Sequence, residues 1–209
     1  MLLLVSVRPL AAQSFLGDIK RFVFTLFLPR GYTEGLEIRD LIRSNSWKKY
    51  RATTSDTAAM NTLFETAYLL CGGNITSTLL ASSVAVLDHK TIPVRFLFGL
   101  EINLPLTIES QELFERRTAQ LPSRIYTDST EDRDKLQHFY FSAYLKRTLG
   151  MNWLCRLLGG MIESGESLFI IGGVDDPRDR HANNDGITFA LRLLQDTTVP
   201  PATCLTRNR

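Results

Sequence analysis

Residues that could do chemistry concentrate in the last third of the 209-residue chain, where polar side chains recur at helical spacing within apolar segments. The candidate polar cluster consists of Asp134, Lys135, His138, Glu163, Glu166, Asp179 and Asn183. Asp134 and His138, four residues apart, share one helix face, where the carboxylate fixes the tautomer of the imidazole. Because a buried charge without a partner is costly, we expect these groups to meet one another, or a metal ion, near one end of a helical bundle.

Two chemistries fit this cluster. In the first, the side chains form a hydrogen-bonded network that fixes the register of the helices, with no cofactor and no reaction. In the second, His138 with Glu163, Glu166 or Asp179 binds a divalent metal ion that activates a water molecule for hydrolysis. We expect the network, with the metal-dependent hydrolase as the alternative.

Other catalytic signatures are missing from the sequence. No second histidine is in register with His138, because His181 leaves the inward helix face and His89 lies in a predicted loop. The oxygen-rich run Asp175–Asp179 lacks EF-hand spacing, and Asp176 is explained as a helix cap. There is no GxSxG motif, P-loop, GxGxxG or CxxC pair. These absences favour a protein that is not an enzyme.

Three predicted antiparallel helices, spanning residues 128–196, must position the cluster. The first covers 133–149, between the acidic capping residues 128–132 and Gly150, and is apolar around most of its circumference. The second, 152–171, is rich in glycine. The third begins at Asp176-Pro177 and runs to about Gln195, and residues 197–209 read as a flexible tail.

The same segment carries a family resemblance, which covers 134–194. The segment begins with the string DKLQHF, continues with a glycine-rich stretch that holds Glu163, and ends with Asp179, Ala182-Asn183 and Gly186. This order resembles the DK-x-x-HF … E … D-x-x-AN-x-x-G pattern of YfiM-like bacterial envelope lipoproteins and, more distantly, of VanZ-like membrane proteins. The chain departs from the first family in lacking a lipobox cysteine and from the second in lacking spanning helices. The resemblance implies an association with the bacterial envelope and no assigned reaction.

The N-terminal sequence bears on location. Residues 1–12 resemble the remnant of a signal peptide, with an apolar start, MLLLVSV, and small residues that permit cleavage after Ala12, although no Lys or Arg precedes the apolar run. A buried or frayed N-terminal strand is the alternative. The expected location is therefore the periplasm or cell envelope, and the expected partner is an envelope protein or the membrane surface.

The first half of the chain supplies two further regions. Residues 13–55 are predicted as an amphipathic helix over 15–28, packed on the protein or lying on a membrane, followed by a polar connector with the basic patch Trp47–Arg51. Residues 56–120 form an α/β subregion. It has a helix over 57–70, a helix from Asn74 or Thr76 to Asp88, and a charged helix over 107–119 that exposes Glu115, Arg116 and Arg117.

A small β element is expected around 94–104, within the run 94–105 that is rich in strand-forming residues. It needs a partner, and residues 84–87 could supply one only if they are not helical. The fold class that follows is mainly α, a helical bundle with this small β element.

Composition limits the remaining choices. A net charge of +2, evenly spread, is not typical of a nucleic-acid-binding domain, and no uncharged apolar run reaches the roughly 20 residues that span a bilayer. Cys71, Cys155 and Cys204 are widely separated, so they predict no zinc site and allow at most one disulfide. We expect a single soluble domain or slightly more.

Overall fold

The computed structural model describes residues 30–95, 101–127, 132–149 and 177–206. The signal-like start, the predicted helices over 15–28 and 152–171, Cys155, Glu163 and Glu166 lie outside the described residues. The predicted capping residues 128–131, Gly150 and Asp175-Asp176 also lie outside them, whereas Asp134, His138 and Asp179 are described.

The described part is mainly helical, which confirms the predicted fold class. In chain order its elements are α1 Tyr32–Arg43, α2 Asn45–Arg51, α3 Asp56–Leu70, α4 Ile75–Ala85, β1 Thr91–Arg95, β2 Glu101–Pro105, α5 Gln111–Thr118, α6 Arg133–Leu149, α7 Pro177–Arg192 and a 3₁₀ turn Pro201–Cys204. None of the described helices is both long enough and apolar enough to cross a membrane.

Polar caps set where several helices begin. The side chains of Ser44, Ser55, Asn74 and Ser110 accept hydrogen bonds from backbone N–H groups in the first turns of α2, α3, α4 and α5. After α3 the chain turns through Gly72 and Gly73, whose φ angles are 60° and 80°. Three predicted helices of the region 56–120 are thus present, with Asn74 capping the second of them.

The polar connector predicted over 31–55 is wrong, because α1 and α2 occupy most of it. Ile38 and Ile42 of α1 are fully buried and Trp47 of α2 is 3% exposed. The indole N–H of Trp47 donates to the carbonyl of Gln120 at 3.1 Å. Of the basic residues of the patch, Lys48 and Lys49 are exposed to solvent, whereas Arg51 is half-buried and pairs with Asp56.

The two strands form an antiparallel pair in which Thr91 lies opposite Pro105 and Arg95 opposite Glu101. The sequence analysis predicts a single strand within 94–105, and its partner could lie at 84–87 only if those residues were not helical. Val84 and Ala85 are in α4, as the predicted helix requires, and β1 and β2 pair with each other.

An aromatic core joins α3, α6 and α7. The ring of Phe189 packs edge-on to Phe64, with centroids 5.0 Å apart, and lies 5.4 Å from the ring of Phe139. The hydroxyl of Tyr140 donates to the carbonyl of Met60 at 3.0 Å. The first and third helices of the predicted bundle are therefore packed on α3 as well as on each other.

Gly186 allows the close approach of α6 and α7. A Cβ atom at this position would lie 2.1 Å from the carbonyl oxygen of Phe139, which is far inside van der Waals contact. Only glycine fits without moving one helix, so Gly186 sets the distance between the two helices that carry the polar cluster.

The chain after α7 is packed where a flexible tail was predicted. Pro201 and Cys204 are buried, and the N–H of Ala202 donates to the side chain of Asn61 on α3 at 3.0 Å. Thr206 donates from its N–H and its hydroxyl to the buried carboxylate of Asp185. Residues 200–206 thus connect α7 to α3. Cys71 and Cys204 are free thiols.

Arg117 corrects another prediction, since its side chain is fully buried and not exposed. Its guanidinium donates to the carboxylate of Glu109, at 2.8 Å from Nη2, and to the carbonyl of Ala85 at 3.0 Å. Glu115 and Arg116 are exposed as expected. The charge of Arg117 is buried because a carboxylate and a helix C-terminus both meet it.

Candidate functional site

The candidate site lies between α6 and α7. Asp134 and His138 are one helical turn apart on α6, and Asp179 is in the first turn of α7. Each of these three residues offers one ligand atom, and these atoms lie within 4.8 Å of one another. The structure therefore brings together carboxylates from both helices around one imidazole.

Lys135 supplies the cation at the centre of this group. Its Nζ lies 2.5 Å from Oδ2 of Asp134 and also contacts Oδ1 of Asp179, and its side chain is only 2% exposed. The ammonium is therefore held between two carboxylates, one from each helix. This position explains how a lysine is tolerated in the interior.

His138 completes the cluster, and its side chain is 16% exposed. Its Nε2 lies 3.6 Å from Oδ1 of Asp179, which is an ion-pair distance and too long for a hydrogen bond. The ammonium of Lys135 contacts the same oxygen of Asp179 more closely than His138 does.

Burial of Asp179 determines its protonation. Desolvation raises the pKa of this carboxyl above its ordinary value, and the charges of His138 and Lys135 oppose the rise without cancelling it. The neighbouring charge of Asp134 adds to the rise. Asp179 is therefore a carboxyl that binds a proton more readily than an exposed aspartate.

Asn183 lies one turn further along α7. Its Oδ1 accepts a hydrogen bond from the hydroxyl of Ser142 at 2.7 Å, and both residues are buried. Asn183 and Gly186 thus have structural roles, the first as a polar link between α6 and α7 and the second as the point of close approach. Glu163 and Glu166, the other sequence-predicted members, lie outside the described residues.

His89 is a neighbour of the site that the sequence analysis set aside as a loop residue. Its side chain is 61% exposed, and its Nδ1 lies 2.7 Å from Oδ1 of Asp88. The N–H of Asp88 donates to the side chain of Gln137 at 3.3 Å, which ties this loop to α6 next to His138. The adjacent pair Asp88-His89 was the signal that could have identified it.

The charges of the cluster also act on His89. Its hydrogen bond with Asp88 raises the pKa of His89, burial works in the opposite direction, and the charges of Asp88, Asp134 and Asp179 add to the rise. The carboxylates of α6 and α7 therefore act on an imidazole from a third segment of the chain.

His181 lies elsewhere, as the sequence predicts. Its Nε2 contacts Thr206, with 2.5 Å to the hydroxyl oxygen, and its ring packs edge-on to Tyr126 with centroids 5.6 Å apart. It therefore belongs to the junction between α7 and the C-terminal residues.

Chemically, the arrangement offers carboxylate and imidazole groups that can hold a proton or a cation, partly open to solvent at His138 and His89. The described residues show no hydroxyl or thiol nucleophile beside them with a catalytic hydrogen bond to His138. Comparisons of this chain with protein-family models, with curated proteins and with solved structures find no match.

Proposed function

We propose that this chain is a non-catalytic helical protein of the bacterial envelope, in which the polar cluster locks α6 against α7. The observation that carries the proposal is the ammonium of Lys135, buried between Asp134 and Asp179. A buried cation between two anions stabilises one relative position of the helices, because any other position leaves a charge unpaired.

The envelope location is supported by the sequence. Residues 1–12 resemble a signal-peptide remnant, and the 134–194 segment resembles the motif of YfiM-like envelope lipoproteins. On α6, on α7 and in the turn that follows α7, three large apolar side chains are exposed: Phe141, Leu191 and Leu194. Apolar surface of this kind suits an envelope protein partner or a membrane surface.

The locking role is tested by a double-mutant cycle on Lys135→Met and Asp179→Asn. Lys135→Met alone is expected to destabilise the protein by about 3–5 kcal/mol, because it strands two carboxylates. Adding Asp179→Asn removes one stranded charge and should recover part of that loss. Urea unfolding of the four proteins measures the coupling, with the exposed Lys49→Met as a control expected to stay within about 0.5 kcal/mol of wild type. Strictly additive effects would contradict the lock.

The location is tested by expressing the full chain with a C-terminal epitope and separating cytosol, periplasm and membranes. We expect the protein in the periplasm or with the membranes, and N-terminal sequencing should show that the first 12 residues are removed. A wholly cytosolic protein that retains Met1 would rule out this location.

The second candidate function is metal-dependent hydrolysis by His138 and the carboxylates. It is favoured by one observation, the ligand atoms of Asp134, His138 and Asp179 within 4.8 Å of one another. A divalent ion there would lower the pKa of a bound water and generate a nucleophile. Elemental analysis of the purified protein beside His138→Ala and Glu163→Ala tests it. Absence of bound metal, with only a loss of stability in both variants, would leave the structural network.

A further inference from the structure

Metal-ligating groups of two helices meet at the cluster. One carboxylate oxygen of Asp134, one of Asp179 and one imidazole nitrogen of His138 lie within 4.8 Å of one another. The ammonium of Lys135 contacts both carboxylates. These carboxylates therefore already hold a positive charge between them.

The spacing of the groups fits ligands of one ion better than partners in a hydrogen bond. Two ligands of a tetrahedral ion with bonds of roughly 2.0–2.1 Å lie about 3.4 Å apart. Nε2 of His138 and Oδ1 of Asp179 are 3.6 Å apart, and Asp179 is only 7% exposed.

His89 has the surroundings of a metal-binding histidine. Ligating histidines commonly donate their second ring N–H to a carboxylate, which fixes the tautomer and directs the free nitrogen at the ion. The pairing of Nδ1 of His89 with Asp88 has this form, and it leaves Nε2 as the ligand atom. His89 lies outside the group of ligand atoms within 4.8 Å of one another, so its exposed side chain must turn to reach the ion. The hydrogen bond from the N–H of Asp88 to Gln137 holds the preceding residue beside α6.

We propose that Asp134, His138 and Asp179, joined by His89, bind one divalent transition-metal ion of the zinc type. Imidazole nitrogens with carboxylate oxygens suit Zn²⁺ better than Ca²⁺ or Mg²⁺, which take oxygen ligands. The site goes beyond the structural lock and requires neither hydrolysis nor an envelope location. Lys135 then competes with the ion, because its ammonium contacts the same oxygen of Asp179.

Zinc titration of the full chain, freed of metal with a chelator and dialysed, tests the proposal. Calorimetry is expected to show one Zn²⁺ per chain, with affinity at least tenfold weaker in His89→Ala and in His138→Gln. The matched control is His181→Ala, which removes the histidine at Thr206 and is expected to bind like wild type. Circular dichroism shows whether each variant is folded, and His89, being exposed, can be removed without loss of packing.

Stability gives an independent measurement through Lys135→Met. If the ion and the ammonium compete for the same carboxylates, Zn²⁺ should raise the melting temperature of Lys135→Met by more than that of wild type. A larger shift in the variant supports the site, and an equal or smaller shift contradicts it.

Three results in the titration would overturn the proposal. The first is no stoichiometric Zn²⁺ binding by the wild-type chain. The second is a His89→Ala variant that is folded and binds Zn²⁺ as tightly as wild type. The third is an equal loss in His181→Ala, since binding would then depend on histidines wherever they lie.

Discussion

At the scale of single residues, Glu109 shows how one carboxylate organises buried cations. Its side chain pairs with Arg39, Arg43 and Arg117. Arg39 also donates to the carbonyl of Val84 and Arg117 to that of Ala85, so both guanidinium groups meet the C-terminal end of α4. Burial lowers the pKa of Arg39 to about 10, and the neighbouring charge of Arg117 contributes. Glu109 therefore offsets the electrostatic repulsion between the guanidinium groups of Arg39, Arg43 and Arg117, which lie close together in the folded protein.

Replacing Glu109 by Gln should destabilise the protein at pH 7 by about 3–5 kcal/mol, because buried cations lose their carboxylate. Burial alone would raise the pKa of Glu109, but hydrogen bonds and charges from Arg117, Arg39 and Arg43 outweigh it and hold the pKa below the ordinary range. The stabilisation is therefore complete above the unfolded pKa of roughly 4.3 and is lost as the pH falls through the lower folded value.

Urea unfolding across pH 7 to 3 measures this effect. The stability gap between wild type and Glu109→Gln should narrow in acid, because the variant cannot titrate at this position. The exposed Glu115→Gln on α5 serves as the control, with a change within about 0.5 kcal/mol at pH 7. A gap that stays constant with pH would show that the carboxylate charge is not what holds the arginines.

Residue type alone predicts burial poorly for the charged side chains of this chain. Arg117 follows Glu115 and Arg116 in a polar segment, and nothing local distinguishes it from them. Its burial depends on Ala85, which is 32 residues away, and on Glu109. The sequence could include Lys135 in the polar cluster because it lies beside Asp134 in a mainly apolar helix, but the position of its ammonium between two helices is a tertiary property.

At the scale of elements, the distance between α6 and α7 rests on Gly186. Alanine normally stabilises a helix relative to glycine by roughly 1 kcal/mol. At Gly186 we expect the opposite, a loss of about 1–3 kcal/mol or more, because the added methyl would overlap the carbonyl of Phe139. Thermal and urea unfolding of Gly186→Ala measure it.

The control for Gly186→Ala is Asn184→Ala, an exposed position of the same helix where alanine also raises helix propensity. It should be neutral or slightly stabilising. If Gly186→Ala were as stable as Asn184→Ala, the close contact between the helices would not be needed for stability.

The short helix α2 depends on one anchor. Trp47→Ala should cost about 3–5 kcal/mol, since it removes a buried aromatic side chain and leaves the carbonyl of Gln120 without the indole donor. The adjacent Lys48→Ala, on the exposed face, should change the free energy of unfolding by less than about 0.5 kcal/mol. Similar values for the two variants would contradict an anchoring role for Trp47.

Helices with long periodic runs of apolar residues were predictable, whereas the short helices α1 and α2 were not, although Ser44 caps α2. The end of α3 was predicted from Gly72-Gly73, the two ends of α6 from the acidic residues 128–132 and Gly150, and the start of α7 from Asp176-Pro177. The apolar stripe of α1 is short, and it includes the buried Arg39 at a position where sequence reading expects an apolar residue. Its helical state depends on packing against α4, which only the folded chain provides.

At the scale of the whole molecule, the candidate site combines segments far apart in the chain. The sequence could place Asp134 and His138 on one helix face and Asp179 on another helix, because local periodicity carries that information. It could not place His89, since its approach to α6 depends on how the loop after α4 returns through Asp88 and Gln137. Local spacing decides which residues share a helix face, whereas a contact between a loop and a helix depends on the tertiary fold.

Residues 200–206 connect α7 to α3. Removing them tests how far the stability of the protein depends on contacts between residues distant in sequence. Ending the chain after Val199 deletes the buried Pro201 and Cys204, removes the N–H partner of Asn61, and leaves the carboxylate of Asp185 without Thr206. Stranding a buried acceptor costs about 1–3 kcal/mol, so we expect a loss of at least about 2 kcal/mol in urea unfolding.

Two substitutions in the full chain separate the causes of that loss. Thr206→Val removes only the hydroxyl that donates to Asp185 and contacts His181, and should reproduce part of the loss. The hydroxyl of Thr203 bonds the nearby carbonyl of Pro200 at 2.7 Å and weakly contacts Cys204 Sγ at 4.0 Å, so Thr203→Ala should be within about 0.5 kcal/mol of wild type. A truncated chain as stable as wild type would show that the junction between α7 and α3 holds without residues 200–206, and that the polar contacts of Asp185 add nothing to the folded state.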